Sequence, residues 1–395
     1  MNQKDTENII PNVNSKEKEE RNVPDLRNKT IALKDLCMLI TKGTTAKKFV
    51  GNGINFIKIE SINSIYEIDE NKISYVTEYE HNNYLKRSKL EENDILFSIA
   101  GALGIVHIVS KDEIPANTNQ ALAIIRLKNK SLTNFVSYFL QSKEIKCMIR
   151  DIKSIGAQPN LSLRQVGDFK IKFPANYNII TNLMLNLDKQ ISTQKKIIED
   201  FKCLNNAIIH RMKVEASSSQ PFKLVDIANY YNGIAHENDV TKSGYILINS
   251  KFISSDGQTK KYCETAHFPL IKNDICIVLS DLPNGKALAK CFFIDENNKY
   301  TLNQRIACVR SKNIALSKYL YYYINRNSYF LKFDDGVNQT NLSKENILEF
   351  RIKIHTNYEK YVYLLDKINN KINDEKKILS LYEKQKQYLL NNMFI

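Results

Sequence analysis

The chain has no tryptophan, and only 8 prolines and 12 glycines among 395 residues. Each shortage excludes some chemistry. No two prolines adjoin, so the Asn/Asp-Pro-Pro-aromatic turn that holds the target amine in adenine methyl transfer cannot be built. No glycine-rich loop ends in Gly-Lys-Ser/Thr, which excludes an ATP motor of the phosphate-cradling kind. The glycines of "SIAGALGIV", Ser98–Val106, are too few for such a loop and sit in a strand context. The seven cysteines include no Cys-x-x-Cys pair, and the six histidines show no metal-ligand spacing, so no metal site is expected. His107, in "GIVHIV", reads as a strand residue rather than a catalyst. No apolar run approaches the roughly 18 residues of a membrane span, and the opening "MNQKDTENII" is not a secretory signal. These absences point to a cytoplasmic protein with reduced, buried cysteines and no membrane partner. Residues 1–28, polar and dense in charge, read as a disordered leader.

Positive charge is plentiful. The formal net charge is +14 and the pI near 9.2, a balance that favours a polyanionic partner, most often nucleic acid. The excess is spread over both halves of the chain, which fits a long basic surface better than a basic tail.

The chain also repeats itself. "GAQPNLSLRQVGDFKIKFP", Gly156–Pro174, returns as "GVNQTNLSKENILEFRIKIH", Gly336–His355, with Gln158, Asn160, Leu161 and Ser162 matched by Gln339, Asn341, Leu342 and Ser343. Ser162 with Gln165, and Ser343 with Asn346, have the spacing of capping boxes, so each phrase should begin a short helix that feeds a strand. The match runs further. "LKDLCMLITKG" from Leu33 and "LVDIANYYNG" from Leu224 predict short amphipathic helices capped at Gly43 and Gly233. "LEENDILFS" and "LIKNDICIV" share Asn-Asp-Ile before an apolar strand, and "NQALAIIRLKN" from Asn119 matches "NQRIACVRSKN" from Asn303. The tyrosine cluster Tyr319, Tyr321, Tyr322 and Tyr323 is spaced for helical core packing.

After each lobe comes a heptad stripe: Leu187, Ile191, Ile198, Phe201 and Ile208, then Ile368, Ile372, Leu379, Tyr382 and Leu389, each offset by 181. Polar interruptions keep the same offset, Gln194 with Glu375 and Asn205 with Lys386. Polar core positions specify register, so the two helices are expected to pair as an antiparallel coiled coil. At about 1.5 Å per residue, residues 181–213 would extend roughly 50 Å, enough for two lobes to meet DNA more than one turn, about 34–36 Å, apart. The fold class is α+β: two tandem α/β lobes separated by two long helices. The expected boundaries are 29–174 and 217–355 for the lobes, with helical spacers at 175–216 and 356–395.

The order lobe, helix, lobe, helix resembles the specificity subunit of type I restriction-modification systems. In that family two target-recognition domains alternate with two conserved helical regions, and each lobe ends in Gly-x-Gln-x-Asn-Leu-Ser followed by a strand toward proline. Gly156, Gln158, Asn160, Leu161, Ser162 and Pro174 fit that phrase; the second copy departs from it, with an extra residue before Gln339 and His355 in place of proline. The resemblance implies a non-catalytic subunit that recognises double-stranded DNA with an asymmetric, bipartite target. It also implies docking to two methyltransferase subunits and to restriction/translocase subunits. The family's S-adenosylmethionine belongs to the methyltransferase partner, so no cofactor is expected in this chain. The alternatives are a specificity subunit with a fused methylase-nuclease partner, and a coiled-coil adaptor that binds no DNA.

A phrase common to both lobes cannot read two different sequences. Gln158, Asn160, Gln339 and Asn341 are therefore expected to pin the scaffold or touch the backbone, and Lys153, Arg164 and Lys344 beside them to meet phosphates. Base reading belongs where the copies differ: Thr44, Thr45, Lys47, Lys48, Ser98 and Gly101 in the first lobe, and His236, Asn238, Lys242, Asn284 and Lys286 in the second.

Overall fold

The computed structural model describes residues 25–153, 160–236, 239–282, 285–334 and 336–394. The chain divides into two compact units, Met1–Gln194 with Ile378–Ile395, and Lys195–Lys377.

Each unit is built on a four-stranded antiparallel sheet. In the first the order is Cys37–Lys42, Leu122–Leu127, Ile95–Ser98, Val106–Ile108; in the second, Ala228–Asn232, Ile306–Ser311, Ile275–Val278, Cys291–Phe293. The central strands "LAIIRL" and "IACVRS" are apolar on both faces because both faces are covered. Ala123 and Ile125 join the core beneath the helix Thr133–Phe139, while Leu122 and Ile124 join a separate core on the other side. The second unit repeats this period of two: Ala307 and Val309 on one face, Ile306 and Cys308 on the other. Cys276 and Cys308 lie opposite one another across that sheet as buried free thiols, which accounts for cysteine in apolar runs. His107 is a buried strand residue whose Nε2 lies 2.9 Å from Glu113.

A second, mixed sheet packs against each first one. Ile54–Ile57 runs parallel to Ala116–Thr118, and Tyr245–Ile248 runs parallel to Tyr300–Leu302. A two-stranded ribbon joins the start of each lobe to its end: Lys29–Ala32 with Lys170–Phe173, and Pro221–Lys223 with Arg351–Lys353. Leu26, in the segment read as leader, is buried in the first core, and Lys29 N–H donates to its carbonyl; the rest of that segment, residues 1–24, lies outside the described residues.

The amphipathic helices expected at the start of each lobe are a single turn, Leu33–Leu36 and Leu224–Ile227, followed directly by strands. The apolar spacing suits a helix, but strand pairing with the central strand satisfies the backbone of Cys37–Lys42 and Ala228–Asn232 instead. Gly43 and Gly233 are accordingly not helix caps. A Cβ on Gly43 would lie 2.1 Å from the Asn119 carbonyl oxygen, and one on Gly233 2.0 Å from that of Asn303. The glycines are there because two backbones touch.

The expected short helices do form, at Leu163–Gly167 and Lys344–Leu348, each with a complete reciprocal capping box. The long helices are Tyr177–Glu215 and Tyr358–Asn392. Within the first unit Asp188 pairs with Lys386 and accepts from Tyr138 Oη at 2.7 Å. Within the second, Asn369 Nδ2 donates to Asn205 Oδ1 at 3.3 Å and to Tyr322 Oη at 3.2 Å, and Tyr361 bonds Glu215. Later residues of one helix thus face earlier residues of the other, which is antiparallel. The two polar contacts, Asp188 with Lys386 and Asn369 with Asn205, are the same pair of positions under the 181-residue offset. Of the heptad stripe, Leu187, Ile191, Ile198 and Ile372 are buried, and Phe201, Ile208, Ile368, Leu379, Tyr382 and Leu389 are half-buried. The polar interruptions Gln194 and Glu375 are buried as well.

Candidate nucleic-acid interface

Antiparallel order brings three loops of each unit to one end of its first sheet. In the first unit these follow Lys42, precede Leu122 and follow Ser98; in the second they follow Asn232, precede Ile306 and follow Val278. Backbone bonds tie the loops together. Gly43 N–H donates to the Leu122 carbonyl at 3.0 Å and Thr44 N–H to that of Thr118 at 2.9 Å. In the second unit Gly233 N–H reaches the Ile306 carbonyl at 3.1 Å, and Ile234 N–H that of Leu302 at 3.0 Å.

The shared phrase is anchored at this end. Leu161 N–H donates to the Ile99 carbonyl at 2.9 Å, and Leu342 N–H to that of Leu279 at 2.8 Å; both leucine side chains are buried. Thr340–Asn341 pairs with Ser280–Asp281, and Gln339 Nε2 donates to Ser280 Oγ at 2.5 Å. In this copy the glutamine pins the phrase to the sheet. Asn160 and Asn341 stay exposed beside the buried leucines.

The opposite end of the same strands is locked by the shared Asn-Asp-Ile. Asn93 and Asn273 take left-handed φ of 72° and 74°, a conformation asparagine tolerates better than most side chains. Asp94, fully buried, holds Arg126 in a fork at 2.8 and 2.7 Å, and Asp274 holds Arg310 at 2.7 and 2.8 Å. The aspartates raise the pKa of both guanidiniums. This repeated tripeptide therefore carries architecture, and leaves the loop end free to vary.

The expected site residues divide by placement. Thr45, Lys47 and Lys48 are exposed on the first loop with Thr44 half-buried at its root, and Lys47 Nζ lies 4.2 Å over the Tyr84 ring. Gly101 is exposed at φ 70° in the loop after Ser98. Lys286 is exposed on the corresponding loop of the second unit, and Lys344 is exposed with its ammonium 6.0 Å from the Tyr230 ring. Arg164 is 93% exposed, in loose contact with Asp168 at 3.9 Å. Two residues are turned inward. Ser98 Oγ donates to the Ala102 carbonyl at 2.5 Å and accepts from Ile105 N–H at 2.7 Å, closing its own turn. His236 is buried, with its ring nitrogens on the Ile234 carbonyl at 2.8 Å and Thr301 Oγ1 at 3.0 Å. Neither offers its polar atoms to a ligand. Lys242 precedes the strand Tyr245–Ile248, whose far end meets Asn303 N–H, so it stands apart from the loop cluster. The Lys153 side chain, Gln158, Asn238 and Asn284 lie outside the described residues.

Four exposed residues of the loop end escaped sequence reasoning: Lys42, Gln120, Gln304 and Arg305. The signal was present in the shared Asn-Gln pair, which marks the loop before the central strand. In the first unit Lys42, Gln120, Asn160 and Ser162 line an open cleft of about 510 Å³ floored by Ile99 and Ala100. Among the described residues no cluster of His, Cys, Asp or Glu could hold a metal ion, and no helix is long and apolar enough to cross a membrane.

Comparison with known proteins agrees with this duplicated layout. The family model for the type I restriction modification DNA specificity domain matches twice, over residues 27–211 and 217–379. Among solved structures, the S subunit of a type I restriction-modification system from M. genitalium aligns with a TM-score of 0.55 at 15% identity, covering 95% of this chain and 98% of that one. A chain from a structure of type I R-M complex assembly and conformational transition aligns at 0.51 and 10% identity, covering 92% and 96%. At such identities the likeness is one of fold. No curated protein sequence matches the chain significantly.

Proposed function

The chain belongs to the type I restriction modification DNA specificity domain family, and from that premise we propose that each of its two recognition domains reads one half of an asymmetric, bipartite DNA target. One observation carries this reading. Both units present the same loop end on the same scaffold, but with different side chains: Thr44, Thr45, Lys47 and Lys48 in one, Ile234, Leu282, Lys286 and Arg305 in the other. Equal scaffolds with unequal loops imply unequal half-sites.

Lysines and arginines at the loop ends meet phosphates, exposed amides and hydroxyls meet base edges, and the shared phrase holds the loops in place. Asn160 and Asn341, which recur within the phrase, and Arg164 and Lys344, exposed cations beside it, are assigned to the DNA backbone. The helical regions, 175–216 and 356–395, set the spacing and dock two methyltransferase subunits, with restriction/translocase subunits joining for cleavage. The chain itself is non-catalytic and cytoplasmic in this reading, and S-adenosylmethionine is bound by its partners.

Methylome sequencing of the host with and without the gene tests this directly. Loss of a single split, asymmetric methylated motif is the expected result. Unchanged methylation at an expressed locus, together with equal binding of target and random DNA by the purified complex, would sink it.

A further inference from the structure

The loop end of the second unit is not uniformly polar. Ile234, Leu282 and Val337 are 45%, 70% and 76% exposed there. A single exposed aliphatic side chain needs no explanation, but these three come from three separate loops that the backbone brings to the same place. Ile234 N–H is bonded to the Leu302 carbonyl, Leu279 N–H to that of Arg305 at 3.2 Å, and Ser280–Asp281 is paired with Thr340–Asn341 just past Val337.

Leu282 is held out by a braced turn. The Asp281 carboxylate accepts from Leu282 N–H at 2.9 Å, Ala287 N–H at 2.7 Å and Leu288 N–H at 3.2 Å. Gly285 N–H closes on the Leu282 carbonyl at 2.9 Å, and a Cβ at Gly285 would strike the Asp281 carboxylate at 2.1 Å. Lys286 and Arg305, both exposed, supply cations around the apolar tip. The positions of the first unit that match Ile234 and Leu282 carry Thr44 and Ala102.

We infer that the second unit reads thymine 5-methyl groups in the major groove through Leu282 and Ile234, with Lys286 and Arg305 on the flanking phosphates. The thymine methyl is the apolar group on a base edge in that groove, so an aliphatic tip suits the methyl and the cations beside it suit the phosphates on either side. The inference rests on the DNA-reading assignment above and narrows it to one chemistry in one half-site.

The test uses the full-length chain, with its partner subunits, and a duplex bearing its target. Each thymine of the second half-site is replaced in turn by deoxyuridine, which removes the methyl group alone. At one or more positions the native protein should bind about fourfold more weakly, the effect of one buried methyl-sized group. Leu282→Ala should bind the thymine and deoxyuridine duplexes equally at one such position, while keeping the native preference within the first half-site. Ile234→Ala provides a second, independent variant. A second half-site insensitive to methyl removal, or a Leu282→Ala protein that keeps the full penalty, would overturn the inference while leaving target-specific binding intact. Failure of the broader reading looks different: target and random DNA are then bound alike by the native protein.

Discussion

Single residues explain the imperfect second copy. His355 stands where the first copy has Pro174, and its Nδ1 accepts from Asn357 N–H at 2.9 Å while Nε2 faces Glu215 at 3.5 Å. A side-chain turn thus replaces proline's fixed φ ahead of the C-terminal helix. Glu215 also binds Tyr361 and Arg211, which hold its carboxyl below the usual range. A carboxylate depressed in the folded state contributes stability above its ordinary pKa, about 4.3, and loses it as pH falls through the folded value. Glu215→Gln should therefore flatten the acid limb of a stability–pH curve, read by chemical denaturation from pH 6 downward. The Asp94–Arg126 and Asp274–Arg310 forks are more consequential. Asp94→Ala or Asp274→Ala leaves a half-buried guanidinium without its fork and should cost about 1.5–3 kcal/mol, seen as reduced hydrogen-exchange protection in the unit that carries the change. The buried Asp94 and the exposed Lys48 look alike to a composition count; only pairing across strands tells an architectural charge from one free to meet DNA.

Among elements, the long helices give the sharpest prediction. Asp188 with Lys386, and Asn369 with Asn205, occupy equivalent positions in the two units. If register is what these polar contacts specify, one can be converted into the other. Asn205→Lys combined with Asn369→Asp should restore thermal stability that Asn205→Lys alone reduces by about 1 kcal/mol through an unpaired, half-buried charge. Additive losses in the double variant would show that the positions do not share a contact. The heptad spacing of these helices was legible in the sequence because a long helix repeats one local rule many times. The short opening elements were not. "LKDLCMLITKG" satisfies helical spacing, but its backbone bonds go to Leu122–Leu127, some 80 residues away, and no local pattern records that partner. Gly43 and Gly233 stand out in the sequence as helix ends, yet what requires glycine there is close approach to Asn119 and Asn303, a tertiary contact.

At the scale of the whole molecule the net charge of +14 is distributed over both units, and binding should be steeply salt-dependent. Removing one phosphate-binding cation reduces the slope of log K against log salt by about 0.9. Lys48→Ala and Lys286→Ala should weaken binding to all sequences evenly and flatten that slope, as measured by fluorescence anisotropy across a salt series; a change in sequence preference instead would place those lysines on bases. The duplication, the alternation of lobe and long helix, and the anchoring phrase were determined by sequence alone, because each is a local pattern written twice and repetition separates signal from chance. Which loop residues share a surface was decided only by tertiary structure. Strand order gathers Lys42, Thr45, Gln120 and Asn160 at one end of a sheet, turns Ser98 and His236 inward, and leaves Lys242 elsewhere. Hydrogen bonding between segments far apart in the chain makes that selection, and it follows no spacing that a linear reading can detect.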